Sequence, residues 1–409
     1  AALLAAGRHF DLGVGFTVQA DARGARLVVT SPTELRAASG AVMQLKALRQ
    51  DTPALTMQWP GAALHGAIEL DLAGGGAPNA GLLLDSVDWA PDAPFDAQGT
   101  LSLTDWRTEN ASIATDELNV GVTVDPKGSG RVDLSGPARI TGPIGDGEVR
   151  DLVANLDLGV IWNAGWRVVP AQHCLPVRLG GLDAAGLSFE AGRFSLCALN
   201  ETLIAADASH RLSGGFRIQG LALDGHMSGP SAQPARLGAS SVVGAFGGTT
   251  DAVRLNVTAA APTIAVTMEE GRVLAVRGAN LTANAQLGES WLVSGAFAQG
   301  RLDDPTLPGS VSAIEGHWSA APEDGKPVIR VQAAQALLAA LTPDSQEEQP
   351  LFHTLRITDL TGELRDGQIA ARGDIVLEEG ARQLAHFTAQ HDVSAGAGRA
   401  NILADNIIF

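Results

Sequence analysis

The residues able to act as nucleophile, acid, base or metal ligand do not converge in this sequence. Its nine histidines are scattered, with neither an H-E-x-x-H nor a His-x-His arrangement to set two imidazoles on one metal. His386 and His391 are the closest pair, and five residues apart on a strand they point to opposite faces. Asp303-Asp304 could be taken as a carboxylate pair for acid–base work, but neighbours in a turn before Pro305 face apart. The G-x-S-x-G elbow, the G-x-x-x-x-G-K-[ST] phosphate loop and G-x-G-x-x-G are all missing, and Gly13-Val-Gly15 lacks the third glycine and a following helix. Four glycosylation-type sequons, at Asn110, Asn200, Asn256 and Asn280, are explained by chance. Trp89, Trp106, Trp162, Trp166, Trp291 and Trp318 lie singly, apart from the Trp162/Trp166 pair, and read as anchors of sheet edges rather than a sugar platform. The expectation is a protein that is no enzyme and carries no metal or cofactor.

Cys174 and Cys197 are the only cysteines. Two alternating runs lie between them, 176–182 and 187–196, so a hairpin would bring them together. Cross-strand neighbours satisfy the Cα separation of about 7 Å or less that a disulfide needs. A disulfide-closed hairpin over 174–197 is the expectation, and with it an oxidising compartment. Two unlinked buried thiols are the alternative, and a metal site has only His173 close by in sequence.

The chain that must position these groups has 409 residues, 45% of them hydrophobic but only 4% aromatic, with 48 glycines and no tyrosine. Its apolar content is therefore mostly Ala, Val, Leu and Ile, which disfavours the dense aromatic core of a compact enzyme. A net charge of −17 without any basic stretch sets nucleic acid aside. The longest apolar runs, such as 1–6 and 336–341, fall far short of the roughly 20 residues of a membrane-spanning helix, and the start has no signal-peptide pattern. Both ends read as cut, so the expectation is a fragment of a longer polypeptide.

Apolar–polar alternation with period two recurs from end to end, the mark of strands with one buried and one wetted face. It is cleanest at Ile68, Leu70 and Leu72; at Val120, Val122 and Val124; at Leu156, Leu158 and Val160; at Val253, Leu255 and Val257; at Ile264 and Val266; and at Ile369, Ile375 and Leu377. These residues are the candidate lining of an apolar surface. Hairpin punctuation falls at Pro126-Lys127-Gly128, Asp146-Gly147, Asp224-Gly225 and Asp366-Gly367. Two short helices are expected, one from the capping box Ser31-Pro32-Thr33-Glu34 and one over 331–341, followed by an exposed acidic loop at 343–350. The fold class is all-β: a long, curled antiparallel sheet forming one elongated apolar groove over 1–409. A stacked sandwich and a closed solenoid are the other architectures the pattern allows.

Particular residues carry a family likeness. The segment Phe352-His-Thr-Leu-Arg-Ile-Thr-Asp-Leu-Thr-Gly-Glu-Leu-Arg-Asp-Gly367 is followed by Ala371-Arg-Gly373, Gln383-Leu-Ala385 and Phe387-Thr-Ala-Gln-His391-Asp-Val. Together (355–409) they resemble the C-terminal region of YdbH-type proteins. The Cys174/Cys197 pair, with Leu175-Pro-Val-Arg-Leu179 and Phe194-Ser-Leu beside it, is similar too. That family resembles TamB and the AsmA-like group. The resemblance implies a periplasmic β-protein of Gram-negative bacteria, held to the inner membrane by an anchor absent from this chain. It further implies a small outer-membrane lipoprotein as partner and movement of phospholipid between the two membranes.

Residue chemistry suits that expectation. Two acyl chains of about 15 methylenes, at about 0.8 kcal/mol each, make unaided passage through water prohibitively slow. A curled aliphatic face would shelter the chains while the head group stays at an open seam, and stacking roughly 25 to 30 strands at about 4.8 Å gives about 120 to 145 Å. The competing expectations are a structural or assembly-factor β-protein whose core is packed by itself, and a β-sheet hydrolase or sugar-binding domain.

Overall fold

Residue-level alternation becomes strand without exception among the described residues of the computed structural model, which are 10–49, 51–107, 111–144, 147–184, 187–227, 232–249, 251–268, 271–288, 290–304, 309–340, 354–379, 382–392 and 397–404. In chain order the first strands are β1 (Phe10–Asp21), β2 (Gly24–Ala37), β3 (Val42–Ala47), β4 (Leu55–Trp59), β5 (Ala63–Ala73), β6 (Asn79–Trp89), β7 (Phe95–Arg107), β8 (Ser112–Val124), β9 (Gly130–Ile144), β10 (Gly147–Trp162), β11 (Trp166–Pro170), β12 (Cys174–Leu179), β13 (Gly181–Ala184), β14 (Leu187–Ala198) and β15 (Ile204–Ala206). They continue as β16 (Leu212–Met227), β17 (Pro234–Thr249), β18 (Ala252–Ala260), β19 (Thr263–Thr267), β20 (Val273–Arg277), β21 (Asn280–Leu287), β22 (Trp291–Asp303), β23 (Gly309–Glu323), β24 (Lys326–Ala340), β25 (Leu355–Arg365), β26 (Gln368–Leu377), β27 (Arg382–Asp392) and β28 (Ala397–Ala404). All belong to one antiparallel sheet. Their contacts group into two compact units, 1–182 with 200–209, and 183–199 with 210–409.

Turn chemistry explains the hairpins. Asp366 and Gly367 both have positive φ, 50° and 75°, and join Arg365 to Gln368 in a two-residue connection between β25 and β26. At 126–128 the carboxylate of Asp125 accepts hydrogen bonds from the N–H groups of Lys127 (2.7 Å) and Ser129 (3.2 Å). That links β8 to β9 as the sequence predicts. Asp224-Gly225 is not a turn: both lie inside β16, where Gly225 passes so near β14 that a Cβ would sit 2.1 Å from the Ser188 carbonyl. The glycine there makes room instead of reversing the chain. Asp146 lies outside the described residues, and Gly147 opens β10.

Neither expected helix forms. Residues 31–34 lie within β2, and 331–340 form the greater part of β24, which is hydrogen-bonded to β23 on one side and β25 on the other. Pairing on both edges outweighs the modest helix propensity of an alanine-rich segment. The acidic loop at 343–350 and Leu341 lie outside the described residues.

Most long strands bend or break at mid-length. In the second unit a residue of positive φ interrupts the alternation at Gly220 of β16, Gln299 of β22, Ala313 of β23 and Asp359 of β25. Ala261 does the same between β18 and β19. In the first unit the register shifts between β5 and β6, β6 and β7, β7 and β8, β8 and β9, and β9 and β10. Bulges of this kind bend a strand and increase its twist. The buried apolar residues are more often alanine than anything larger, and Val328 is the largest side chain that is fully covered. One compact cluster in the first unit, Ala54, Ile68, Leu84, Val87 and Ala97, is joined by Leu45, Leu70, Leu82 and Val122.

Both cysteines are disulfide-bonded, Cys174 at the start of β12 and Cys197 near the end of β14. Closing a loop of this length contributes about 3 kcal/mol by constraining the unfolded chain. Replacing both cysteines by serine is expected to lower unfolding free energy by about that amount, read as a reduced urea midpoint with a steeper slope, because the unlinked unfolded chain exposes more surface.

Candidate functional site

Directly opposed residues on antiparallel strands share a face, so the register alone decides whether apolar side chains form one surface. In the first unit an unbroken apolar row crosses the sheet. It begins Phe16, Val29, Leu55, Gly66 and Val87 on β1, β2, β4, β5 and β6. It continues through Ala97, Val122, Val132, Val160, Val168 and Ile204 on β7 to β11 and β15. Beside it runs a row of five leucines, Leu45, Leu70, Leu82, Leu101 and Leu118.

The second unit repeats the arrangement on both sides of its bends. One row joins Phe246, Leu255, Ala285, Val293 and Ala320 to Ile329, Leu364 and Ile369. The other is wholly aliphatic: Leu223, Leu237, Ile264, Val276, Leu302, Val311, Leu338, Leu355 and Leu377. Strand β26 places the two rows on one face, because Ile369 ends the first, Leu377 ends the second, and they stand an even number of residues, eight positions, apart on one strand. On β25 the apolar positions change from odd (Leu355, Ile357) to even (Gly362, Leu364) across Asp359, and the bulge cancels that change. At about 4.8 Å per strand the aliphatic row runs for about 38 Å.

Across the ladders each candidate lining residue has an apolar residue or glycine opposite it on at least one neighbouring strand, and Ile369 and Leu377 also stand opposite His391 and Arg382. Ile68, Leu70, Leu72, Val120, Val122, Val124, Leu156, Leu158 and Val160 lie together in the first unit, and Val253, Leu255, Val257, Ile264, Val266, Ile369, Ile375 and Leu377 in the second. Most are half-buried; Ile68 is covered and Ile369 is 38% exposed. Leu12, Phe16 and Val18, on β1, are more than half exposed on the same face and were absent from the predicted set. Their alternation, Leu12-Gly-Val14-Gly-Phe16-Thr-Val18, is a signal the sequence carries.

Aromatic rings lie across glycines on this surface. Trp162 is directly opposite Gly130, Phe216 opposite Gly244, Trp318 opposite Gly295 and Phe387 opposite Gly373. A Cβ on Gly130 or Gly244 would lie 2.3 Å from the partner ring, so those rings occupy the space above the glycine. This pairing covers bare backbone and keeps the face low in relief.

The opposite face is polar. One row reads Asn256, Asn284, Ser294, Ser319, Arg330 and Glu363. There Arg330 donates to Glu363 at 3.0 Å and to Glu323, and Arg365 donates to Glu363 at 3.0 Å and to Glu323. Hydrogen bonds from Arg330 and Arg365 hold the Glu323 carboxyl at about 2, below its ordinary 4.5, and Arg365 and Arg330 lower Glu363 too. The remaining chemistry-bearing residues are separated. His386 pairs with Asp374 at 2.7 Å on the polar side while His391 stands opposite Ile369, and Asp303 is held by Arg301 (2.6 Å) and Arg277 (3.3 Å). Among the described residues no three His, Cys, Asp or Glu side chains are grouped to hold a metal.

Two outcomes test this description. Gly244→Val is expected to destabilise the protein by about 1 to 3 kcal/mol, because the added atoms overlap the Phe216 ring; the urea midpoint reads it. Because the folded-state pKa of Glu323 is depressed, its contribution is complete above about 4.5 and disappears as pH falls towards about 2. Hydrogen exchange in β24 and β25 should therefore accelerate across that window, and Glu323→Gln should flatten the response.

No family model and no curated protein matches this chain.

Proposed function

We propose that the apolar face binds the acyl chains of phospholipids and lets them move along it, as part of a periplasmic conduit between two membranes. The continuous aliphatic row from Leu223 to Leu377 is the observation that carries this reading. A single acyl chain covers about half of a 30 Å hydrocarbon layer, so about 38 Å of aligned aliphatic side chains exceeds its length twofold. Such a surface offers van der Waals contact everywhere and a directional partner nowhere, so a chain is sheltered without being trapped. Flat rings over glycines reduce the steps it would cross.

Val, Leu and Ala positions would cover the tails, and bends at mid-strand would fold each strand's two halves over them. The head group needs no dedicated partner on this face, since the seam is wet. An inner-membrane anchor and an outer-membrane lipoprotein belong to the same proposal and rest on the YdbH-type likeness. A second reading, a structural β-protein packed by itself, is favoured by the compact cluster around Ala54 and Ile68.

Purified protein should release phospholipid on solvent extraction, identified by mass spectrometry. Leu255→Asp and Val122→Asp should reduce recovered lipid and transfer between donor and acceptor vesicles by about tenfold, whereas Arg254→Asp and Asn119→Asp, on the polar side, should leave both near the starting level. Lipid-free protein, or equal losses on the two faces at matched folding, would reject the acyl-chain reading.

A further inference from the structure

The polar side of the second unit holds a hollow of about 700 Å³ whose lining is cationic in a chain of net charge −17. Three arginines border it, Arg330, Arg372 and Arg399, against one carboxylate, Glu363. Arg330 is neutralised by Glu323 and Glu363. The other two have no carboxylate partner among the described residues: Arg372 donates only to the Thr361 hydroxyl (3.2 Å) and Arg399 only to the Gln390 amide oxygen (3.0 and 2.6 Å). Their charge is held in place and left uncompensated.

Register explains why they converge. Glu363, Ala370, Gln390 and Arg399 form one cross-strand row on β25 to β28, and Thr361, Arg372, Thr388 and Asn401 form the next. Ala370 is the smallest side chain of the group and leaves the hollow over it. Arg372 stands two residues along β26 from Ala370, Arg399 stands two strands away on β28, and Thr388 on β27 and Asn401 on β28 complete Arg372's row. We propose that this hollow binds a phosphate group carried on a small organic residue, its oxygens taken by the guanidinium groups of Arg372 and Arg399.

Chemistry favours phosphate over a simple halide. Two guanidinium groups present planar, paired N–H donors matched to tetrahedral oxyanions, and hydroxyl and amide donors nearby suit the remaining oxygens. The volume exceeds what a bare phosphate fills and lies within the range of small-molecule sites. This site is on the face opposite the aliphatic rows and stands independently of the lipid reading. A phospholipid head group and a free phosphate ester both supply the required chemistry.

Calorimetric titration of the whole chain at low salt with glycerol phosphate, and co-sedimentation with phosphatidylglycerol vesicles, distinguish those sources. Saturable binding of glycerol phosphate that weakens at least tenfold in Arg372→Gln/Arg399→Gln, and is kept in Arg254→Gln, supports a soluble ester. The same variant dependence seen only with vesicles supports a head group. No binding in either arm, or equal weakening by Arg254→Gln and the double variant with circular dichroism unchanged, overturns the proposal.

Discussion

Cross-strand register is the constraint on which the rest of this protein depends. With a side-chain period of two, a slip of one residue between any pair of strands would carry an entire apolar set to the wetted face. The rows stay in phase through many pairings. Where a strand takes on an extra residue, as at Asp359, the apolar positions in its sequence change parity at the same place. Bulge and facing are thus reconciled within that strand.

The composition follows from the same demand. Among the described residues the covered apolar positions are dominated by alanine, with Val328 the largest one fully enclosed. Aromatic residues are few, and several are laid over glycines directly across from them. Half-buried Val, Leu and Ile therefore dominate the face. The cluster around Ala54 and Ile68 is a place where such residues do close upon one another.

Most charge of the described residues lies on the other side and is organised there, with Arg382, opposite Leu377, an exception. Arg330 and Arg365 share Glu323 and Glu363, and Arg356 donates to Glu378 at 2.7 Å. Exposed pairs of this kind add little stability individually. Their consistent placement opposite the aliphatic rows nevertheless keeps the two faces chemically distinct, and it leaves Arg372 and Arg399 as local positive charge on an acidic chain.

Period-two alternation and turn residues by themselves determined the all-β class and the hairpin at Asp366-Gly367, and within each uninterrupted run which residues share a face, because a strand's facing is a local property; across a bulge such as Asp359 the facing is decided by the structure. The pairing of Cys174 with Cys197 was legible for a similar reason, since alternating runs between them imply a reversal. Tertiary structure alone decided that 331–340 are strand, because partners on both edges come from other strands, and that 31–34 run on within β2, where Glu34 pairs with both β1 and β3. It likewise decided that Asp224-Gly225 runs straight, since the crowding comes from Ser188 on another strand. The convergence of Arg372 with Arg399 is of the same kind: 26 positions separate them along the chain, and only the register of β26, β27 and β28 brings them to one hollow.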